Sequence, residues 1–255
     1  MPRTTGSRAC PATPSGAALA ELARMAQRFE AGRVWAARPV SSRWRHVTIA
    51  ADALAGVTFQ PGAEVVLRVP NGEGSEERRY SVWKGSAQAG TFEVCVVLHG
   101  LGPGSRWAGR CDAGDPVEFS RSLTLPIAVD RSAEAHLFLG DETSIASTEA
   151  LIRALPAQAK LQACFEISAL EHRWPAADLV RSEVVQWVPR TGRPGLALVS
   201  WLTAQELPLA ASTTAYVTGE AWLCTLIHAH LVRDRGFRAG SVRAMPYWKQ
   251  RPRFA

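Results

Sequence analysis

With 255 residues, 47% of them hydrophobic and 20% charged, the chain has the length of one large domain or two ordinary ones and the balance of a soluble globular protein. No uninterrupted apolar run approaches the roughly 18 residues of a membrane span, and the opening MPRTTGSRACPATPSG lacks the apolar block of a secretory signal, so a cytoplasmic protein without stable membrane insertion is expected. The 29 Lys and Arg against 23 Asp and Glu, formally +6, favour anionic partners, while the lack of an aromatic-basic RNA motif or helix-turn-helix pattern sets nucleic acid aside.

The first 27 residues read as a variable tail passing into a short helix: over 17–29, Leu19, Leu22, Met25 and Phe29 recur at spacings of three, three and four. From about Trp44 to Val129 the pattern turns to short strands, HVTIAA, AEVVLRVP, RRYSVW, TFEVCVVLHG and DPVEF, separated by turn clusters such as PNGEGSEE and GSAQAG. This predicts an antiparallel barrel. In TFEVCVVLHG, Phe92, Val94, Val96 and Leu98 share one strand face and Glu93, Cys95, Val97 and His99 the other. After Asp130 the rhythm becomes strand, helix, strand. AHLFLG is followed by a helix over Thr143–Leu155, then by LQACFEIS, EVVQWVP and LALVSWL as further strands. TTAYVTG then leads into a helix from Ala221 to Arg235, closed by Gly236. The alternation predicts a parallel α/β sheet. The expected division is a tail and helix over 1–27, a barrel over 28–129 and an α/β domain over 130–255.

Three segments carry candidate chemistry, and each alone also has a plain structural reading. Arg78-Arg79-Tyr80-Ser81 lies on a strand, with Arg78 and Tyr80 on one face and Arg79 and Ser81 on the other; an ordinary edge strand would read the same way. His99-Gly100-Leu101-Gly102-Pro103-Gly104-Ser105-Arg106-Trp107 puts three glycines at a turn whose free N–H groups suit an anion, or simply connects two strands. Gly140-Asp141-Glu142-Thr143 places acids at a helix start, where capping alone accounts for them. Cysteines at 10, 95, 111, 164 and 224 show no C-x-x-C pair and no Cys/His spacing suited to zinc or an iron–sulfur cluster, and His228 and His230 face different ways on their helix, so no protein-ligated metal is expected.

Taken together, RRYS, HGLGPGSRWA, GDETSIAS, the GE of YVTGEAW and the late PYWK stand in the order and approximate spacing of the siderophore-interacting proteins, over about residues 40–250. The chain resembles that family, which implies a two-domain ferredoxin-reductase-like fold with an FAD-binding barrel and an NAD(P)-binding-like α/β domain. It further implies reduction of ferric siderophores with electrons from NAD(P)H or a ferredoxin. By the resemblance, Arg78 neutralises the FAD diphosphate, Tyr80 lies against the isoalloxazine and Ser81 bonds near its N5 edge. His99, Gly102, Gly104, Ser105 and Trp107 form the diphosphate turn, with Trp107 packing or anchoring the loop. Asp141, Glu142, Thr143 and Glu220 are the candidates on the nucleotide domain, and Lys84, Arg243, Lys249 and Arg251 those for an anionic iron chelate. The sequence departs from the family pattern in three places: Trp83 stands where an arginine is usual, Phe119-Ser120-Arg121-Ser122 replaces G-P-R-G, and Ser144-Ile145-Ala146-Ser147 replaces A-L-P-A. Two further readings are a general NAD(P)H-dependent electron-transfer reductase and a siderophore-binding protein without redox function.

Overall fold

The computed structural model describes residues 28–100, 102–121 and 127–250; the helix expected over 17–29, apart from its last two residues, and Ser122 and Arg251 lie outside them. Six strands, β1 (Glu30–Pro39), β2 (Trp44–Ala50), β3 (Glu64–Asn71), β4 (Gly74–Ser86), β5 (Thr91–Val97) and β6 (Pro116–Arg121), close into an antiparallel barrel in the order β1-β2-β5-β4-β3-β6. Alternation drives the closure. Phe92, Val94 and Val96 of β5 are buried with Val47, Ile49, Val65, Leu67 and Phe119, while Cys95 and Val97 on the opposite face pack against a second cluster outside the barrel. β1 was not legible as a strand because Val34 is its one fully buried residue and Trp35 points to solvent. Helix α1 (Pro103–Arg110) follows β5 and sends Trp107 and Ala108 into the barrel core.

The second half holds five parallel strands: β7 (Ala135–Asp141), β8 (Lys160–Ile167), β9 (Val185–Pro189), β10 (Thr213–Glu220) and β11 (Val242–Trp248), ordered β11-β10-β7-β8-β9. Helices α2 (Ile145–Arg153), α3 (Leu196–Ala204) and α4 (Ala221–Asp234) cover its faces. All seven residues of β7 are buried, as a strand covered on both sides requires. Leu137 and Leu139 meet Leu198, Leu202, Leu223 and Ile227 on the α3/α4 side, and Phe138 meets Ile145, Leu151 and Ile152 on the α2 side.

The segment LALVSWL, expected as a strand, is helix α3. Seven residues with almost no polar interruption carry no period that separates a buried strand from a buried helix. Gly195 decides it: its φ of +94° turns the chain, and its N–H is held by the Glu166 carboxylate at 3.0 and 3.1 Å.

The two halves share a core. Trp44 and Trp83 of the barrel pack with Trp174, Phe138 and Ile145 of the α/β half, and Trp44 Nε1 donates to the His172 carbonyl at 3.0 Å. From β7 the chain builds outward through β8 and β9, then returns to β10 on the other side of β7. The carboxyl ends of β7 and β10 therefore flank the crevice where open α/β sheets bind ligands.

Candidate functional site: the cleft between barrel and sheet

β4 and α1 bring two of the separated motifs together. Gly104 sits so close to β4 that a Cβ there would lie 2.1 Å from Tyr80 Oη and 3.4 Å from Arg78 Cγ. Only glycine leaves room for that approach. α1 follows Gly102 without a side-chain cap and with Pro103 at its first position, and its first turn packs beside Arg78 and Tyr80. The Arg78 guanidinium is held by Glu76 at 2.5 Å and by the Glu77 carbonyl at 2.8 Å, yet is 36% exposed and available to a further anion. Arg79 faces the other way, toward Glu64 at 3.8 Å. Burial raises the Tyr80 phenol far above its ordinary value, which keeps it neutral.

Ser105 takes a different part from the one the resemblance implies. Its hydroxyl is buried and accepts the N–H groups of His99 and Gly100 at 2.9 Å each, which shapes the turn. His99 lies beside it, its imidazole held below its usual value by burial first and by Arg43 second, with Glu142 opposing. Trp107 packs into the barrel and anchors α1. A glycine cradle, an uncapped helix start, a guanidinium and a neutral phenol form a donor set that fits the diphosphate and ring system of FAD.

Across the cleft, the carboxyl edge of the sheet is lined with buried acids, each already engaged. Asp141 Oδ1 accepts from Thr143 N at 2.9 Å and Thr143 Oγ1 at 2.5 Å, and Oδ2 accepts from Glu220 N and Trp248 Nε1 at 2.9 Å each. Gly219 is required there, since a Cβ would lie 2.7 Å from the Asp141 carboxylate. Burial, then the neighbouring Glu142, push the Asp141 carboxyl up to about 6. Glu220 caps α4, accepting from Trp222 N at 2.6 Å and Leu223 N at 3.1 Å, and receives Gln250 N at 3.0 Å. Arg190 bridges Glu142 and Glu166 at 3.0 Å, while Arg43 reaches Glu142 from the barrel at 3.4 Å. The N–H groups that would receive a dinucleotide diphosphate at the switch point are thus taken by the protein's own carboxylates.

Tyr247 closes the cleft from β11: its hydroxyl donates to Ser147 Oγ at 2.9 Å and lies beside the Ser81 hydroxyl of β4. The sequence marked Tyr247 and Trp248 only as part of PYWK. Ser147 was marked only as a departure within GDETSIAS, and Glu166 and Arg190 carried no spacing signal, because partners on different strand ends meet only in the fold. Of the chelate candidates, Lys84 stacks over the Trp83 ring at 3.8 Å, and Lys249 is exposed just beyond β11. Arg243 is not brought to the cleft: at the amino end of β11, five residues from Trp248, it binds the Ala128 carbonyl and Asp130. Among the described residues no group of three or more His, Cys, Asp or Glu is arranged to hold a metal ion, and no helix is long and apolar enough to cross a membrane.

Two family models match the chain in succession, the siderophore-interacting FAD-binding domain over residues 51–121 and the siderophore-interacting protein over residues 133–251. The ferric vibriobactin reductase ViuB of Vibrio cholerae is 26% identical over 215 residues, which cover 76% of this chain and 75% of that protein. The mycobactin import ATP-binding/permease protein IrtA of Mycobacterium tuberculosis is 28% identical over 185 residues, 70% of this chain but 21% of that one. Among solved structures, the siderophore-interacting protein SipS of Aeromonas hydrophila superposes with a TM-score of 0.75 at 21% identity, covering 88% of this chain and 92% of that one. A ferredoxin NADP+ reductase of Neisseria gonorrhoeae shares the fold at a TM-score of 0.65 and 17% identity, covering 86% of this chain and 99% of that one.

Proposed function

Because the chain belongs to the siderophore-interacting protein family and carries its FAD-binding domain, we propose that it is a cytoplasmic flavoenzyme that reduces ferric siderophores with electrons from NAD(P)H or a ferredoxin. The observation that carries this reading is the close meeting of Arg78, Tyr80 and Gly104 at the start of α1, which no side chain caps. When bound, FAD would supply the redox chemistry, the conversion between two-electron and one-electron transfer that ferric iron requires. The chain's residues do the rest. Arg78 and the first turn of α1 bind the diphosphate, Tyr80 offers a flat neutral surface to the ring system, and Ser81 presents its hydroxyl at the edge shared with Tyr247. The iron arrives as substrate, wrapped in its chelator.

The capped switch point bears on the donor. With Asp141 and Glu220 filling the helix starts, a dinucleotide would find no diphosphate seat there, which favours weak dinucleotide binding or a protein donor. The deciding experiment is an absorption spectrum of the purified protein, followed by anaerobic mixing with NADH, NADPH or reduced ferredoxin and then with a ferric siderophore. Flavin bleaching by one donor and its return on adding the chelate, with ferrous iron released, is the expected result. A protein that neither carries nor takes up FAD would favour the siderophore-binding reading instead, and bleaching reversed only by other electron acceptors would favour a general reductase.

A further inference from the structure

On the edge of the sheet opposite the cleft, at the amino ends of β7 and β8, a cavity of about 580 Å³ opens between the segment Arg131–His136 and the turn Ala154–Lys160. Its size suits a nucleotide-sized molecule. One wall is apolar, formed by Ala154, Leu155, Pro156 and Ala159, and the polar part holds Arg131, Lys160 and His136 against a single acid, Glu134.

His136 is the built part of this site. It is 3% exposed and stacked against Tyr216, whose hydroxyl accepts the Asp130 N–H at 2.8 Å and lies 3.4 Å from His136 Nδ1. Burial favours the neutral imidazole, with the Asp130 carboxylate opposing; when Tyr216 donates to Nδ1, the ring hydrogen is on Nε2. His136 lines the cavity and its Nε2 makes no hydrogen bond among the described residues, which leaves that nitrogen to a ligand. Arg131 and Lys160 make no ion pair or side-chain hydrogen bond among the described residues. By contrast Arg153, Arg190 and Arg243 of the same half are all engaged.

We propose that this cavity binds a phosphate monoester with an organic body of about nucleotide size, the phosphate meeting Arg131, Lys160 and His136 Nε2 and the body lying on Leu155 and Pro156. Three donors, two of them cationic, match the three terminal oxygens and near-double charge of a phosphate monoester better than the single charge of a carboxylate. The site stands apart from the flavin cleft and does not depend on the proposed reaction. Through Tyr216 it touches Asp130, whose carboxylate also binds Thr214 and Arg243 where the chain crosses between the two halves.

The test is isothermal titration of the full chain, with FAD added to saturation so that the adenosine moiety is kept from the flavin site, against adenosine 5′-monophosphate, inorganic phosphate and citrate at constant ionic strength. Adenosine monophosphate should bind with a Kd of about 0.1–1 mM, and the double variant Arg131→Ala/Lys160→Ala should weaken it at least about tenfold. Glu134→Gln should tighten it about threefold, a gain that damage to the fold could not produce. Absence of binding by either phosphate compound, citrate binding in preference to both, or affinity indifferent to all three substitutions would overturn the assignment.

Discussion

Gly104 and Asp141 are the residues where the site is least tolerant. Gly104→Ala puts a methyl group on top of Tyr80 Oη, so Tyr80 must swing away; flavin retention should fall while the barrel stays folded, read as the FAD-to-protein absorbance ratio after gel filtration against the circular dichroism spectrum. Arg78→Ala and Tyr80→Ala should each lose flavin too, the arginine by a charge-assisted contact worth about 1.5–3 kcal/mol, whereas Arg79→Ala, facing Glu64, should matter less. Unchanged occupancy in the first two would remove the proposed site. At Asp141 two effects oppose each other. Asp141→Asn relieves a buried charge but turns an amide NH₂ toward donors that the carboxylate now accepts, and the lost hydrogen bonds should win, by about 2–4 kcal/mol in urea unfolding at pH 7. Because the folded carboxyl titrates near 6, above its unfolded value, the native state holds the proton more tightly. The stability of the wild type relative to this variant should therefore decline as pH rises from about 4 to about 6.

At the scale of elements, the contact between barrel and sheet is an aromatic cluster with an unpaired histidine in it. His46 of β2 lies 4.2 Å from the Trp83 ring and 5.1 Å from that of Trp174, and both its ring nitrogens are buried without partners, as are the indole nitrogens of Trp83 and Trp174. Burial first, then Arg38 and Lys84, depress the imidazole to about 3, so it is neutral in the fold. A histidine with a lowered folded value adds stability that is present above its unfolded value and is lost as pH falls toward the folded one. The melting temperature of the wild type should therefore drop more between pH 7 and pH 4 than that of His46→Phe, and a parallel drop would rule the histidine out. The departure at Trp83 also gains a reason here. The indole fills the space between β4 and Trp174, and Lys84 stacks on it.

For the whole molecule, the shared aromatic core and the Arg43–Glu142–Arg190–Glu166 network tie barrel and sheet into one unit. Calorimetry should give a single unfolding transition. Arg190→Met, which removes the cation shared by two buried carboxylates and leaves them Arg43 and the Gly195 N–H, should cost about 3 kcal/mol, far more than loss of the exposed Arg68–Glu77 pair. Two melting transitions in the wild type would show the halves to be independent. If Lys84 and Lys249 guide an anionic chelate, neutralising both should lower kcat/KM and flatten its dependence on ionic strength while leaving the flavin spectrum intact; a profile identical to wild type would return them to ordinary surface.

By itself the sequence determined what local periodicity and ordered motifs can carry. Alternation in TFEVCVVLHG marked the inner face of the barrel, the strand–helix rhythm after Asp130 marked the parallel sheet, and five spaced motifs marked the family. It could not decide α3, where an unbroken apolar run has no period, or β1, where the buried side is almost a single valine. Nor could it see that Ser105 is spent on its own turn, that Arg243 lies at the far end of β11, or that Arg190 joins Glu142 to Glu166. Those are properties of which strand ends become neighbours. Parallel strands gather residues tens of positions apart at one edge, and only packing of the two halves decides which of the gathered groups are already paired and which are left to meet a ligand.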